Sequence, residues 1–472
     1  MSNTSQSQTQ VSFLTAVSIV IANMIGAGVF TSLGFQALDI KSVFPLLLLW
    51  IVGGVIALCG AFNYGELAAR MPRSGGEYHY LSQIYHRGFG FLSGWVSATV
   101  GFAAPIALAA MALGEYASDA IFASKNEYPI FQKIIAVATI LLISLIHATD
   151  VKKGSFFQQY STAVKLLLIS VFILAGFIIT PNPQSISVLP QSGDWNYVWQ
   201  PAFAVSLAYV SFAYSGWNAS AYLAGEIENP RKNVPKSLFL GTMIVMLAYV
   251  LLNFVFLYTA PVEQLAGKLD VGYESAMMIF GKAGGKIMAS MIALLLVSSI
   301  SAMVFAGPRV TKAIGEDFEI FKHIATTNSK GVPVLAIFLQ SGIAIVLVLT
   351  SSFNDVLYAI AFVLEIFTIS TVLGVFILRF REKESFLAYK AWGYPITTLI
   401  FIAGTAWTMF FLFEQRIFPS LKAVFGIGLS PEKSYISQVM PAILAIGSLL
   451  SGFAVFLISD KINQKRLQEK KV

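Results

Sequence analysis

Charge is scarce in this chain and cysteine almost absent. Charged side chains make up 12% of the 472 residues, against roughly 25% in an ordinary soluble domain. So few charges cannot coat a water-exposed surface of this size, which excludes a large soluble domain. No charged side chain precedes Asp39, so a cleavable signal with a basic start is not expected. The single cysteine, Cys59, lies inside an apolar stretch. It excludes an intrachain disulfide and any cysteine cluster for a metal. The four histidines, His79, His86, His147 and His323, are scattered and fall near loops, so no metal site is expected. No Walker A or other nucleotide-binding sequence is present, which argues against an ATP-driven pump, and no cofactor is expected.

What remains is apolar. Hydrophobic residues make up 56% of the chain, and about 20 of them in a row span a bilayer as a helix. Twelve such stretches are expected, at 13–36, 44–69, 89–122, 130–149, 155–180, 199–224, 237–260, 277–308, 332–351, 354–378, 394–414 and 436–459. The chain is therefore an all-α polytopic membrane protein with a single transmembrane domain. Its formal net charge of +7 reports topology rather than nucleic-acid binding. Of the 31 Lys and Arg residues, 21 fall on the side that carries the termini, nine on the other, and Lys165 within a span. By the positive-inside rule both termini are expected in the cytoplasm.

Two spans are interrupted by glycine. The first reads Asn23-Met-Ile-Gly-Ala-Gly-Val-Phe30 and the sixth Ser211-Phe-Ala-Tyr-Ser-Gly-Trp-Asn218. In lipid an unpartnered backbone group costs several kcal/mol, so a broken helix survives only inside protein or along a cavity. Matching breaks in two halves are a sequence pointer to a transporter's substrate site. Five spans separate the two breaks, and an odd offset inverts one half relative to the other. Spans 1–5 (13–180) and 6–10 (199–382) are thus expected to form an inverted repeat, with two helices appended at 394–459. No clear sequence self-similarity accompanies it.

At Gly26-Ala27-Gly28 an open helix exposes amides suited to an anionic group; close helix packing would use the same small residues. Phe212, Tyr214 and Trp217 flank Ser215-Gly216 and could form an apolar wall and a gate, or serve as plain packing. The stretch Glu226 to Pro235 marks a cytoplasmic helix end. Lys165 lies about 15 Å into the fifth span at 1.5 Å per residue. An ionisable residue that deep is a functional candidate by default, with unwound carbonyls of span 1 and the hydroxyls of Ser298 and Ser299 as its expected acceptors. Glu365, mid-span 10, is equally open to titration, to binding a polar substrate group and to bonding a neighbouring helix. Glu66 and Glu115, near span ends, read as solvated or structural.

At these residues the chain resembles the amino acid–polyamine–organocation superfamily, with the LeuT-type fold, and within it the bacterial permeases near the L-amino acid transporter family. The resemblance runs from Ile25 to about Arg379. It is carried by Met24-Ile-Gly-Ala-Gly-Val-Phe30, by Tyr64-Gly-Glu-Leu-Ala-Ala-Arg-Met-Pro-Arg-Ser-Gly-Gly-Glu-Tyr78, and by Phe212-Ala-Tyr-Ser-Gly-Trp-Asn218. Glu226-Ile-Glu-Asn-Pro230 and Ala306-Gly-Pro-Arg309 continue it. These motifs are specific for the family and say little about substrate. The resemblance implies a substrate α-carboxylate on the amides of Gly26, Ala27 and Gly28. It implies an α-amino group on carbonyls near Ile25 and from Phe212 through Ala213 and Tyr214 to Ser215, with Phe212 as aromatic gate. It also places Lys165 where sodium-coupled members hold a sodium ion, which implies sodium-independent transport. Eukaryotic relatives pair with a glycoprotein through a cysteine between spans 3 and 4. The loop Ser124 to Pro129 has none, so no disulfide-linked heavy chain is expected. Glu365 departs from the family pattern.

The resulting expectation is a secondary transporter of small neutral amino acids in the cytoplasmic membrane, working by exchange. Proton symport and transport of cationic amino acids or polyamines are the alternatives. A transporter-like sensor or a membrane enzyme would need a signalling domain or a polar catalytic cluster, and neither is evident.

Overall fold

The computed structural model describes residues 11–122, 129–268, 270–350, 353–381, 389–429 and 435–469. Apart from one isolated bridge between Val11 and Ile227, the described secondary structure is helical. In chain order the helices are α1 (Phe13–Met24), α2 (Gly28–Asp39), α3 (Val43–Arg70), α4 (Glu77–Ile84), α5 (Arg87–Val96), α6 (Ala103–Phe122), α7 (Pro129–Thr149), α8 (Val151–Ile179), α9 (Asp194–Val198) and α10 (Pro201–Tyr214). They continue with α11 (Pro230–Thr259), α12 (Val262–Leu265), α13 (Val271–Phe280), α14 (Gly284–Ala306), α15 (Pro308–Asp317), α16 (Val334–Thr350), α17 (Phe353–Arg381), α18 (Ile396–Leu412), α19 (Phe418–Val424) and α20 (Tyr435–Glu469).

Local chemistry sets several of these ends. Ser12 accepts from the Thr15 amide at 3.3 Å at the start of α1, and Asp150 accepts from the Lys152 amide at 2.8 Å at the start of α8. Each satisfies one orphan donor of a first turn. Pro201, Pro230 and Pro308 open α10, α11 and α15, a position where the missing amide costs nothing.

Among the described residues ten helices are long and apolar enough to cross a membrane. Two of the twelve expected stretches differ from that form. The stretch at 199–224 is a 14-residue helix, α10, that stops at Tyr214 and resumes as a short 3₁₀ turn at Ala219–Leu223. The stretch at 332–351 is a helix of 17 residues, α16. A third departs at its start: the stretch expected from 277 begins at Gly284, because Gly281, with φ at 64°, ends α13 before it. The expected third stretch is continuous but carries a π turn at Ser97–Gly101. The loop residues 124–128 lie outside the described residues, as do residues 1–10 of the amino-terminal tail.

Burial separates an inner from an outer layer. The first two spans are 67% buried in their most apolar windows and α14 with α15 78%, whereas α7 reaches 22%. The outer faces present large apolar side chains such as Ile130, Leu142, Phe156, Ile178 and Leu450. A bilayer solvates such a belt and water does not. Inside it α1 packs on α8, α11 and α14, while α10 packs on α2, α3 and α18. Both broken helices thus sit at the centre, and the chain is an all-α polytopic membrane protein with breaks in its first and sixth spans.

Candidate functional site

The first break runs through Ile25, Gly26 and Ala27. Ile25 leaves the helical region, with φ −78° and ψ 93°, and α2 restarts at Gly28 with no side-chain cap. The amides of Ala27 and Gly28 meet no acceptor among the described residues, so the positive end of α2 is left bare. The two glycines differ in their surroundings. A Cβ on Gly26 would meet nothing within 4 Å, while one on Gly28 would lie 3.3 Å from the Cβ of Ala213 and 3.4 Å from its Cα. Of the two, only Gly28 is hemmed in, because it faces the end of α10.

The second break runs from Ser215 to Asn218. Gly216 takes φ 93°, a left-handed value that a side chain disfavours. A Cβ there would also lie 2.6 Å from Asn23 Nδ2. The breaks are tied together directly: Asn23 Nδ2 donates to Gly216 O at 3.4 Å. Tyr249 of α11 adds a second tie, its hydroxyl lying 2.7 Å from Met24 O and 3.0 Å from Ala213 O. Tyr214 donates to Trp50 O at 2.9 Å, fixing the end of α10 on α3.

Behind the first break lies Lys165, only 1% exposed. Its Nζ donates to Ala22 O at 3.1 Å, Ile25 O at 2.6 Å and Ser299 Oγ at 2.8 Å. Those are three acceptors for the three donors of an ammonium. Ser299 in turn donates to Ile25 O at 2.7 Å. The Ile25 carbonyl therefore already accepts two bonds from within the chain, and the Ala213 carbonyl one from Tyr249. Ser298, expected beside Lys165, instead faces Ser161 at 3.3 Å and Thr162 at 3.4 Å. Adjacent positions on a helix point about 100° apart, so only one of the two serines can face Lys165.

In front of the breaks is a cavity of about 270 Å³, just below the roughly 300–1,000 Å³ usual for ligand sites. It is lined by Phe212, Tyr214, Ser215, Gly216, Trp217 and Asn218 of the second break, by Asn23 of the first, and by Glu365 and Thr368 of α17. Phe212 is 37% exposed although it ends a helix at the centre of the molecule. Gly26, Ala27 and Gly28 are half-buried beside the break and do not line this cavity; Lys165 and Ser299 stand behind it.

Against this geometry, a sequence model of the family described as "Amino acid permease" matches residues 11–458. The chain belongs to the amino acid permease family. Its superfamily is the amino acid–polyamine–organocation one. The chain is 28% identical over 409 residues to the serine/threonine exchanger SteT of Bacillus subtilis, covering 84% of this chain and 89% of that one. It is 25% identical over 384 residues to the human b(0,+)-type amino acid transporter 1, covering 81% and 78%. It is also 25% identical over 425 residues to the human large neutral amino acids transporter small subunit 2, covering 89% and 78%. The relatives are transporters, none of them named as an enzyme.

The permease motifs also meet one another. Arg309, 2% exposed, pairs with Glu226 at 2.9 Å, which joins the Glu226–Pro230 and Ala306–Arg309 motifs. Glu66 is buried and not solvated: it pairs with Arg70 at 2.9 Å and Arg379 at 2.5 Å and accepts from the Ala391 amide at 2.7 Å. Glu77 accepts from Tyr64 at 2.5 Å, Thr368 at 2.9 Å and Asn218 Nδ2 at 3.2 Å. Sequence reasoning passed over Asn23, Glu77, Tyr249 and Thr368 as site residues. A polar side chain within an apolar stretch was the available signal for Asn23 and Thr368. Nothing in the sequence pairs Tyr249 with Met24. Cys59 is buried and free, and no metal-holding cluster of His, Cys, Asp or Glu occurs among the described residues.

Proposed function

We propose that this permease is a sodium-independent exchanger of small neutral L-amino acids in the cytoplasmic membrane, working by alternating access with both termini inside. The observation that carries the proposal is the uncapped amino end of α2 at the first break, facing the end of α10 beside the cavity. Bare amides and a helix dipole suit a carboxylate. The substrate α-carboxylate goes to the amides of Gly26, Ala27 and Gly28. The α-amino group goes to carbonyls of the second break between Phe212 and Ser215. Ile25 O and Ala213 O serve it less well, since they already accept bonds from Lys165, Ser299 and Tyr249. The aromatic face of Phe212 covers the apolar part of the substrate. An inverted relation between 13–180 and 199–382 accounts for two breaks that meet from opposite directions, with 394–459 packed outside.

Sodium independence follows from Lys165. A fixed ammonium among two carbonyls and a hydroxyl takes the set of oxygens a monovalent cation would need. Its three donors are matched by three acceptors, an arrangement suited to a permanent strut and to exchange rather than to a proton carrier. The name of the Bacillus exchanger is in keeping with a small polar neutral substrate. One side chain, Glu365, favours a second reading that extends to cationic substrates.

The test uses purified protein in liposomes. Labelled serine or alanine is expected to enter vesicles preloaded with the unlabelled amino acid and to enter empty vesicles far more slowly. Equal rates in preloaded and empty vesicles would remove the exchange reading. Absence of uptake across a panel of neutral amino acids would remove the substrate reading.

A further inference from the structure

The cavity holds two carboxylates, Glu77 and Glu365, and no Lys or Arg among its described lining residues. The two are held differently. Glu77 accepts from a tyrosine, a threonine and an asparagine, all three on its Oε1. Glu365 sits three residues before Thr368 on α17, on the same helix face. Its Oε2 is buried with no hydrogen-bond partner, and no ion pair to it occurs among the described residues. A buried carboxylate that lacks donors is costly unless something supplies them. The side chain lines the cavity, so what enters the cavity can supply them. Around it the wall is apolar, with Leu108, Leu364, Phe411 and Leu412.

We propose that Glu365 is the selectivity site of this cavity for a cationic group, an ammonium or guanidinium, at the far end of an amino acid side chain. The proposal rests on the amino acid transport reading and deepens it. The α-carboxylate and α-amino groups lie at the two breaks, and the side chain runs across the cavity toward α17. Its methylene stem packs on the apolar wall and its head reaches the carboxyl group of Glu365. A cation is favoured over a neutral hydroxyl for two reasons. An ionised carboxylate only accepts, and an ammonium brings three donors together with the opposite charge. Glu77 is the less open of the two, because Tyr64, Thr368 and Asn218 already converge on its Oε1.

The experiment compares L-lysine with L-norleucine, which has the same carbon chain without the ammonium. Both compete with labelled serine for exchange into serine-loaded liposomes. In the wild-type protein lysine is expected to compete at least about tenfold better than norleucine, since a site with an unfilled carboxylate discriminates strongly against the analogue that leaves it unfilled. Glu365→Gln is expected to abolish that preference, read as the ratio of the two compounds' half-inhibiting concentrations within the variant itself, and Glu365→Asp to retain part of it. Equal competition by the two compounds in the wild-type protein overturns the proposal with serine exchange intact, and this arm needs no variant. An unchanged preference in Glu365→Gln overturns it as well. Failure of serine and every other neutral amino acid to exchange in the wild-type protein instead defeats the neutral-exchanger reading, and lysine transport measured alone would still report on Glu365.

Discussion

Lys165 donates to three oxygens on two other helices, and that count sets what its loss does. Lys165→Ala leaves Ala22 O, Ile25 O and Ser299 Oγ without that donor in a site 1% exposed. Hydrogen bonds to charged groups are worth about 1.5–3 kcal/mol each. Burying the ammonium offsets part of that, so a net loss of about 3 kcal/mol is expected, read as a lower midpoint in thermal unfolding of the detergent-solubilised protein. Transport is expected to fall below detection in liposomes, because the carbonyl that defines the first break keeps only the Ser299 hydroxyl and loses the charge beside it. Full transport by Lys165→Ala would show that the break holds itself. Phe212 behaves in the opposite way. Its ring is 37% exposed toward a cavity, so Phe212→Ala removes little core packing. Expression and thermal midpoint are expected to stay near wild type while the half-saturating amino acid concentration rises by about tenfold or more, about 1.4 kcal/mol. Loss of folding with unchanged affinity would make Phe212 a packing residue.

The broken elements are held by their neighbours, and this decides which glycine can be changed. A Cβ on Gly28 would press within 3.3 Å of Ala213, so Gly28→Val is expected to force α2 and α10 apart and to abolish binding in a protein that still inserts and purifies. Gly26 has open space around it, and Gly26→Ala is expected to keep the wild-type thermal midpoint while weakening substrate stabilisation, because the added methyl stands where the carboxylate approaches. Unchanged stabilisation by substrate in Gly26→Ala would move the carboxylate site away from the first break. The breaks themselves were legible in the sequence, since glycine flanked by polar residues interrupts otherwise unbroken apolar runs. So was Lys165, whose depth in a span needs no partner to be noticed. The ties between the breaks were not legible. Tyr249 reaches Met24 across 225 positions of sequence and Asn23 reaches Gly216 across 193, and no local pattern encodes such a pairing. The same holds for Glu66, which reads as a span-end acid until Arg379, 313 positions away, closes over it. Ser298 and Ser299 were read as a pair; only helix geometry separates the one that meets Lys165 from the one that does not.

At the scale of the whole molecule, both breaks, Lys165 and the cavity form one connected piece. Lys165 holds Ile25, Tyr249 and Asn23 bridge the first break to the second, and Asn218 passes from the second break to Glu77 and, through it, to Thr368 of α17. An amino acid bound as proposed would contact this piece at both breaks, so its arrival would change contacts on α1, α2, α10 and α17 together, which is what differential binding to two states requires. In the proposed exchanger the Lys165 ammonium takes the place of a coupling cation, and external ions would have no stoichiometric part. Replacing sodium by choline on both sides of the liposome membrane is expected to leave the exchange rate of serine unchanged within a factor of about two, since the only effect left to sodium is on screening. An inward proton gradient is expected to drive no net accumulation into vesicles without internal amino acid, because the proposed strut role has Lys165 keep its three acceptors and its proton through the cycle. Accumulation under that gradient would make the ammonium a proton carrier, and Lys165→Arg, which keeps the charge but cannot release its proton, would then separate the two mechanisms: it would abolish gradient-driven uptake while leaving exchange measurable.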